Sequence, residues 1–263
     1  MWTQSKRALH AGHKSDSAAS FEEISRFRRF KAPVGFASAL YFYDDKEHSM
    51  IFADPMAAAG KLADALSGYR DKNPLVLAIP RGAVPMAKAI AQRLNGELDV
   101  VLVRKLRAPG NPEYAIGSVD ESGWVYLTEY AARAGADQAY IDQEVSVQLE
   151  TIRQRRAHYT PERAPIDPAG RIVIVVDDGL ATGSTMIAAL HALRNQKTAE
   201  LICAVPVAPP EILKKLQSKA DCIVCLSAPD DFYAVGQFYT DFPQVSDDEV
   251  IACLAAAPRQ AAD

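Results

Sequence analysis

RIVIVVDDGLATGSTMIAAL, residues 171–190, joins an unbroken β-branched run to two adjacent acids, a loop of small and hydroxyl residues, and a segment of helical period. Such an apolar run predicts a strand buried on both faces, as in a parallel sheet covered by helices. A helix beginning near Ser184 leaves its first backbone N–H groups without internal acceptors and presents the positive end of its dipole, so the loop Ala181–Thr185 suits an anion. Thr182, Ser184 and Thr185 add hydroxyl donors, and Gly183 permits close backbone approach. A phosphate monoester is the expected guest. Asp177 and Asp178 would repel a phosphate set directly against them, so their expected duty is to accept hydrogen bonds from sugar hydroxyls or to coordinate a hydrated Mg²⁺. Phosphate and diol together point to a phosphorylated sugar. The loop is not a Walker loop, since no GxxxxGK[ST] occurs, nor a GxGxxG dinucleotide turn.

The same alternation of apolar runs and helical segments extends over the chain from about residue 50. Strands are predicted at Leu75–Pro80, Leu98–Val103, Arg171–Val176, Glu200–Val205 and Cys222–Leu226. Helices are predicted over Met56–Tyr69, Pro85–Leu94, Ser184–Asn195 and Pro209–Ala220, the last opening with proline. The expected fold class is therefore α/β, an open parallel sheet of about five strands with helices on both faces. Ile141, Val145, Leu149 and Ile152 make one apolar stripe on a long, mostly polar helix over Tyr140–Tyr159. Tyr114–Leu127 reads as a β-hairpin insertion around the turn-forming Asp120–Gly123. Asp230–Val245, rich in aromatics, reads as a small hood over the sheet edge, followed by a helix that Ser246 caps. The expected organisation is an extension over residues 1–48, a core over 49–228, and a C-terminal hood and helix over 229–263. Within the extension, Phe21–Phe30 is the one stretch that suggests a helix.

The chain has 263 residues, 49% of them hydrophobic, with 29 basic and 33 acidic side chains giving a net charge of −4. That supports a sizeable core and argues against nucleic-acid wrapping. No apolar run is long enough to span a membrane, and the first thirty residues lack a secretory signal's apolar stretch, so neither a membrane partner nor export is expected. The four cysteines fall in the last quarter of the chain and read as small core residues, which fits a cytoplasmic protein. Cys222 and Cys225 would face opposite sides of one strand, and no second Cys or His pair completes a zinc site. The basic run Arg26–Lys31 reads as part of an amphipathic arm.

Val173–Thr185, with four apolar residues, two acids and a small-Thr-Gly-x-Thr loop, resembles the signature of the type I phosphoribosyltransferases. The likeness extends over roughly residues 50–250, which look like a bacterial group whose base is mostly unassigned. The resemblance implies a core of that family's fold, with a hairpin flexible loop and a hood. It also implies a Mg²⁺-dependent enzyme whose substrates are 5-phospho-α-D-ribose 1-diphosphate and a nitrogenous base, in an expected homodimer. Ala181–Thr185 would hold the 5′-phosphate. Asp177 and Asp178 would position the ribose hydroxyls and the metal's water shell. Arg81 and Gly82 would form the pyrophosphate loop, with Arg104 and Lys105 binding the same group from the next loop. Arg81, Lys105, Asp177 and Asp178 are then the expected catalytic residues, acting by positioning and charge stabilisation. Glu113 and Tyr114 are lid candidates, Glu113 equally a solvated loop charge.

Enzymes of this family acting on 6-oxopurines usually carry an acid where this chain has Ala181, and the phosphate loop does not identify the base. Phe232, Tyr233, Phe238 and Tyr239 are candidates for stacking on it; a packed core beneath the hood is the competing reading. Two other activities stay open: a regulator that senses the sugar diphosphate without turnover, and a hydrolase in which water replaces the base.

Overall fold

The computed structural model describes residues 27–30, 39–43, 51–128, 130–161 and 163–257. In chain order its elements are β1 (Phe27–Phe30), β2 (Ala39–Tyr43), α1 (Pro55–Ala65), β3 (Leu75–Ala78), α2 (Ala83–Leu94) and β4 (Glu97–Val100). A small insertion follows, with β5 (Val103–Ala108), β6 (Asn111–Asp120), β7 (Val125–Leu127) and the long α3 (Gln138–Tyr159). The second half runs β8 (Ile172–Val176), α4 (Ser184–Arg194), β9 (Glu200–Val207), α5 (Pro210–Leu216), β10 (Cys222–Ser227) and α6 (Asp247–Ala255).

The main sheet has the order β1-β2-β10-β9-β8-β3-β4. Every pairing in it is parallel except β1 with β2. Alternate strand residues feed two separate cores, because successive side chains leave a strand on opposite faces. Val76, Ile174, Ile202 and Val224 pack on one face with α1, α2, α3 and α6. Leu77, Val175, Cys203 and Ile223 pack on the other with α4 and α5. Unbroken apolar strands are thus explained by helices on both sides, and the α/β expectation holds. Cys222 and Cys225 join opposite cores, and none of the four cysteines is in a disulfide.

Three features differ from the sequence reading. The run Leu98–Val103 is not one strand: the chain leaves the main sheet after β4, and β5 begins a separate sheet of order β5-β6-β7. Arg104 and Lys105 therefore lie within β5 rather than at the end of a core strand. The hairpin is correspondingly larger than Tyr114–Leu127, with Gly110 at φ 68° turning β5 into β6. Apolar content could not separate the two strands, since Val101 and Leu102 between them are also buried. Third, Phe27–Phe30 of the expected helix form β1; residues 21–26 lie outside the described residues. Pairing with β2, itself laid parallel along β10, overrides a weak local period there.

Helix α3 is tied down by charge. Arg156 donates through Nη1 to Asp99 Oδ1 at 2.7 Å, through Nη2 to the Val100 carbonyl at 2.9 Å, and through Nε to Glu121 Oε1 at 2.7 Å. Asp99 is almost fully buried at the end of β4, and its other oxygen accepts from the Ile166 amide at 3.0 Å. The guanidinium thus clamps α3 to β4 and to the β6–β7 turn. Removing one member of a buried ion pair leaves the other uncompensated. Arg156→Met is expected to lower unfolding free energy by about 3–5 kcal/mol, read from denaturant titration; a loss below about 1 kcal/mol would show that the clamp is not structural.

Candidate active site

The amino end of α4 is open. Asp54 caps α1, Asp137 caps α3 and Ser246 caps α6 with a side-chain oxygen, whereas α4 begins at Gly183 with φ 68° and no side-chain cap. Its first amides therefore keep their capacity for an external anion. Thr182 Oγ1 and Ser184 Oγ lie 2.8 Å apart beside them, with Thr182 exposed. A Cβ at Gly183 would stand 2.5 Å from Ile212 Cγ2 of α5, so both the backbone angle and the space require glycine here. Ala181 is exposed, and Ser184 and Thr185 are half-buried.

Asp177 and Asp178 follow β8 at the same carboxyl edge. The Asp178 amide donates to Asp177 Oδ1 at 3.0 Å. Burial, then the neighbouring Asp178 charge, pushes the Asp177 carboxyl well above its ordinary range, and burial raises Asp178 as well. Two desolvated acids side by side gain from any partner that favours their ionised forms, whether hydroxyl donors or a cation. No cluster of three or more His, Cys, Asp or Glu able to cage a metal occurs among the described residues. Two carboxylates without further protein ligands suit Mg²⁺, which keeps waters and takes phosphate oxygens from its substrate. The residues present fit that ion.

Asp178 is fixed from two sides. Its Oδ2 lies against Gly82, and a Cβ built on Gly82 would overlap that oxygen. On the other side the Tyr239 hydroxyl donates to the Asp178 carbonyl at 2.7 Å. Val235 packs on the next residue, Gly179, where a Cβ would come within 2.6 Å of Val235 Cγ1. The loop after β3 and the C-terminal hood therefore both close on the acid pair.

Arg81 precedes Gly82, across a cis Pro80–Arg81 peptide. Its Nη1 stands 3.8 Å from Asp247 Oδ1 in the first turn of α6, and the Tyr159 hydroxyl donates to the same oxygen at 2.7 Å. That hydrogen bond, followed by the charges of Arg81, Arg155 and His158, holds the Asp247 carboxyl below its usual range. Arg104 is half-buried, its Nε donating to Gln148 Oε1 at 3.1 Å, while Gln148 Nε2 donates to Glu144 Oε1 at 3.0 Å. Pro80, Arg104, Arg155 and Thr185 line one narrow cleft, where the loop after β3, strand β5, helix α3 and the start of α4 meet.

The structure thus gathers Arg81, Gly82, Arg104, Asp177, Asp178 and Ala181–Thr185 at one edge. Lys105, next to Arg104 on β5, is exposed and does not line the cleft. Tyr114 is exposed on β6, on which Glu113 also lies. Among the hood aromatics, Phe238 and Tyr239 are buried in the core and Phe232 packs on Phe238 with ring centroids 4.9 Å apart. Tyr233 alone stands out, at 90% exposure. Four residues escaped the sequence reading: Gln148, Arg155, Tyr159 and Asp247. The signal for three of them was polar chemistry on an apolar stripe, because Gln148, Ile152, Arg155 and Tyr159 recur at spacings of four, three and four.

An uncapped helix start and two desolvated acids meet at the carboxyl edge of an open α/β sheet. The phosphoribosyl transferase domain family matches residues 48–243, and the chain belongs to it. It is 39% identical over 214 residues to a Mycobacterium tuberculosis protein provisionally named a phosphoribosyl transferase, covering 81% of this chain and 48% of that protein. The chain thus spans about half the length of the curated relatives it matches. A uracil phosphoribosyltransferase of Streptococcus salivarius is 32% identical over 152 residues, 58% of this chain and 64% of the other. Among solved structures, a protein from Thermus thermophilus, TT1426, is 46% identical, with a TM-score of 0.71 over 78% of this chain and 98% of that one.

Gly82→Ala tests the contact between the two loops. The added methyl must displace the Asp178 carboxylate, so sugar-phosphate binding is expected to fall at least tenfold, about 1.4 kcal/mol, with little change in thermal stability. Unchanged binding would place Asp178 outside the site. Tyr239→Phe removes one buried hydrogen bond and is expected to cost about 1 kcal/mol of stability, measured by denaturant unfolding; an unchanged midpoint would mean the hood is held by packing alone.

Proposed function

We propose that this chain is a Mg²⁺-dependent phosphoribosyltransferase, moving the 5-phosphoribosyl group of 5-phospho-α-D-ribose 1-diphosphate onto a nitrogen of a base with release of diphosphate. The observation that carries the reading is the meeting of Gly82 with Asp178 beside the uncapped start of α4. Phosphate, diol and leaving-group sites then stand within one cradle, as the transfer requires.

In this reading the amides and hydroxyls of Ala181–Thr185 hold the 5′-phosphate. Asp177 and Asp178 accept from the ribose hydroxyls and fix the ring. Bound Mg²⁺ would supply charge neutralisation to the diphosphate, with Asp177 and Asp178 holding it through water. As the bond from the anomeric carbon to diphosphate breaks, positive charge grows on the ribose and negative charge on the departing oxygens. Arg81 and Arg104 stabilise the latter through forked donors, and Lys105 is assigned to the same group by closure of the β5–β6 hairpin. The base nitrogen bonds to the anomeric carbon from the opposite face and later loses its proton to solvent, with the β5–β6 hairpin that carries Glu113 and Tyr114 as the candidate lid. Tyr233 and Phe232 would stack on the base.

The base is unassigned. Uracil heads the acceptors to be tried, since streptococcal uracil phosphoribosyltransferases are among the relatives. A homodimer in the cytoplasm belongs to the same proposal; free cysteines suit a reducing compartment. No helix among the described residues is long and apolar enough to cross a membrane.

Incubation with Mg²⁺, the sugar diphosphate and a panel of purines, pyrimidines and other nitrogen nucleophiles is expected to release diphosphate only with a particular acceptor. Release without any base would make the chain a hydrolase, and binding without release would make it a sensor. The double variant Asp177→Asn plus Asp178→Asn is expected to abolish Mg²⁺-dependent sugar binding while the fold persists. Retained wild-type affinity in calorimetry would remove the acids from the site.

A further inference from the structure

We propose that Arg155 of α3 is a third guanidinium for the diphosphate end of the sugar substrate, beside Arg81 and Arg104. This rests on the phosphoribosyltransferase reading above and names a residue outside the family signature. The first ground is position. Arg155 lines the cleft that Pro80, Arg104 and Thr185 also line, so α3 contributes to the point where the loops converge.

The second ground is the stripe on which it sits. Two turns earlier, Gln148 accepts from Arg104 Nε; one turn later, the Tyr159 hydroxyl donates to Asp247, the carboxylate beside Arg81. The residues flanking Arg155 along this face of α3 therefore hold the surroundings of the other two cations. Its charge acts on Arg104 and on Asp247: it disfavours the protonated form of the first, second only to burial, and it stabilises the ionised form of the second.

The third ground is what its neighbours have and it lacks. Arg153 pairs with Glu150 at 3.6 Å, and Arg156 with Asp99 and Glu121. Among the described residues Arg155 has no carboxylate within ion-pair distance, although it is exposed and its charge acts on Arg104, on which Arg107 also acts, and on Tyr159, on which Arg81 also acts. Among the described residues, Glu144 faces Arg104 and Arg107 and Asp247 faces Arg81 and Arg155, while Asp177 and Asp178, on the Gly82 side of Arg81, are the acids already assigned to the sugar and the metal. Like charges gathered without counter-ions repel, and a dense, forked anion relieves that repulsion best. A diphosphate brings such charge. The 5′-phosphate needs it less, since backbone amides and hydroxyls already serve it.

The test measures binding of three probes to the full chain with Mg²⁺ by calorimetry: the sugar diphosphate, inorganic pyrophosphate and ribose 5-phosphate. Arg155→Gln is expected to weaken the first two about tenfold or more, the scale of one charge-assisted contact, and to leave ribose 5-phosphate within about twofold. Arg155→Lys should recover part of the loss, since it restores charge without the fork. Arg153→Gln, on the same helix but already paired, should match wild type. Wild-type affinity for pyrophosphate in Arg155→Gln would overturn the assignment, as would an equal loss for ribose 5-phosphate. If wild type itself binds none of the probes, the phosphoribosyltransferase reading falls first and this one with it. Matched melting curves confirm that each variant folds.

Discussion

Two loops from adjacent parallel strands touch where Gly82 meets Asp178, and no side chain fits between them. Strands β3 and β8 are paired from Leu75↔Val173 to Ala78↔Val176, so the segments after them leave the sheet together. Bringing a guanidinium-bearing loop against an acid-bearing loop then needs only that one of them lack a Cβ. The rest of the site follows from this proximity. Arg81 and Asp177 are the immediate chain neighbours of the touching residues, and Gly179 continues under Val235 of the hood. A few residues on, Gly183 passes against Ile212 to begin α4. Glycines at 82, 179 and 183 let three layers of the protein approach one edge.

Helix α3 is the second support. Its sequence is that of a surface helix, and its stripe does bury Ile141 and Ile152. Yet the same face carries Gln148 against Arg104 and Tyr159 against Asp247, while Arg156 anchors the whole helix to β4. A helix inserted between two halves of a sheet thereby fixes side chains from β5, α6 and the loop after β3. Its length gives it reach: its 22 residues run past both the hairpin and the hood-side helix.

The sheet and the loop Ala181–Thr185 at its edge were legible because each is a local pattern. Ile172–Val176 and Asp177–Thr185 are contiguous, so strand, acids, hydroxyl loop and helix start are all read from one stretch. Ser246 over Glu249 was legible for the same reason, and the structure forms that capping box. What stayed hidden was set by tertiary approach. Leu98–Val103 looked like one strand because buried connections are as apolar as strands. Tyr239 read as a core ring beneath the hood ahead of a stacking ring; only the fold shows its hydroxyl on the Asp178 carbonyl. Arg155 was one of several arginines in a row, and nothing local distinguishes the paired from the unpaired.

The ribbon of β1 and β2 changes what the outer rim of the sheet offers to other chains. Without it, β10 would end the sheet with a bare ladder of amides and carbonyls beside Cys222–Leu226, a short, uncharged, β-branched stretch of the kind that recruits foreign strands. Pairing Cys222–Cys225 with Ala39–Phe42 moves that rim outward to FRRF, a terminal strand in which every second position on average is an arginine. The rim of the sheet among the described residues is thereby a strand of four residues, with few backbone groups to offer a foreign one.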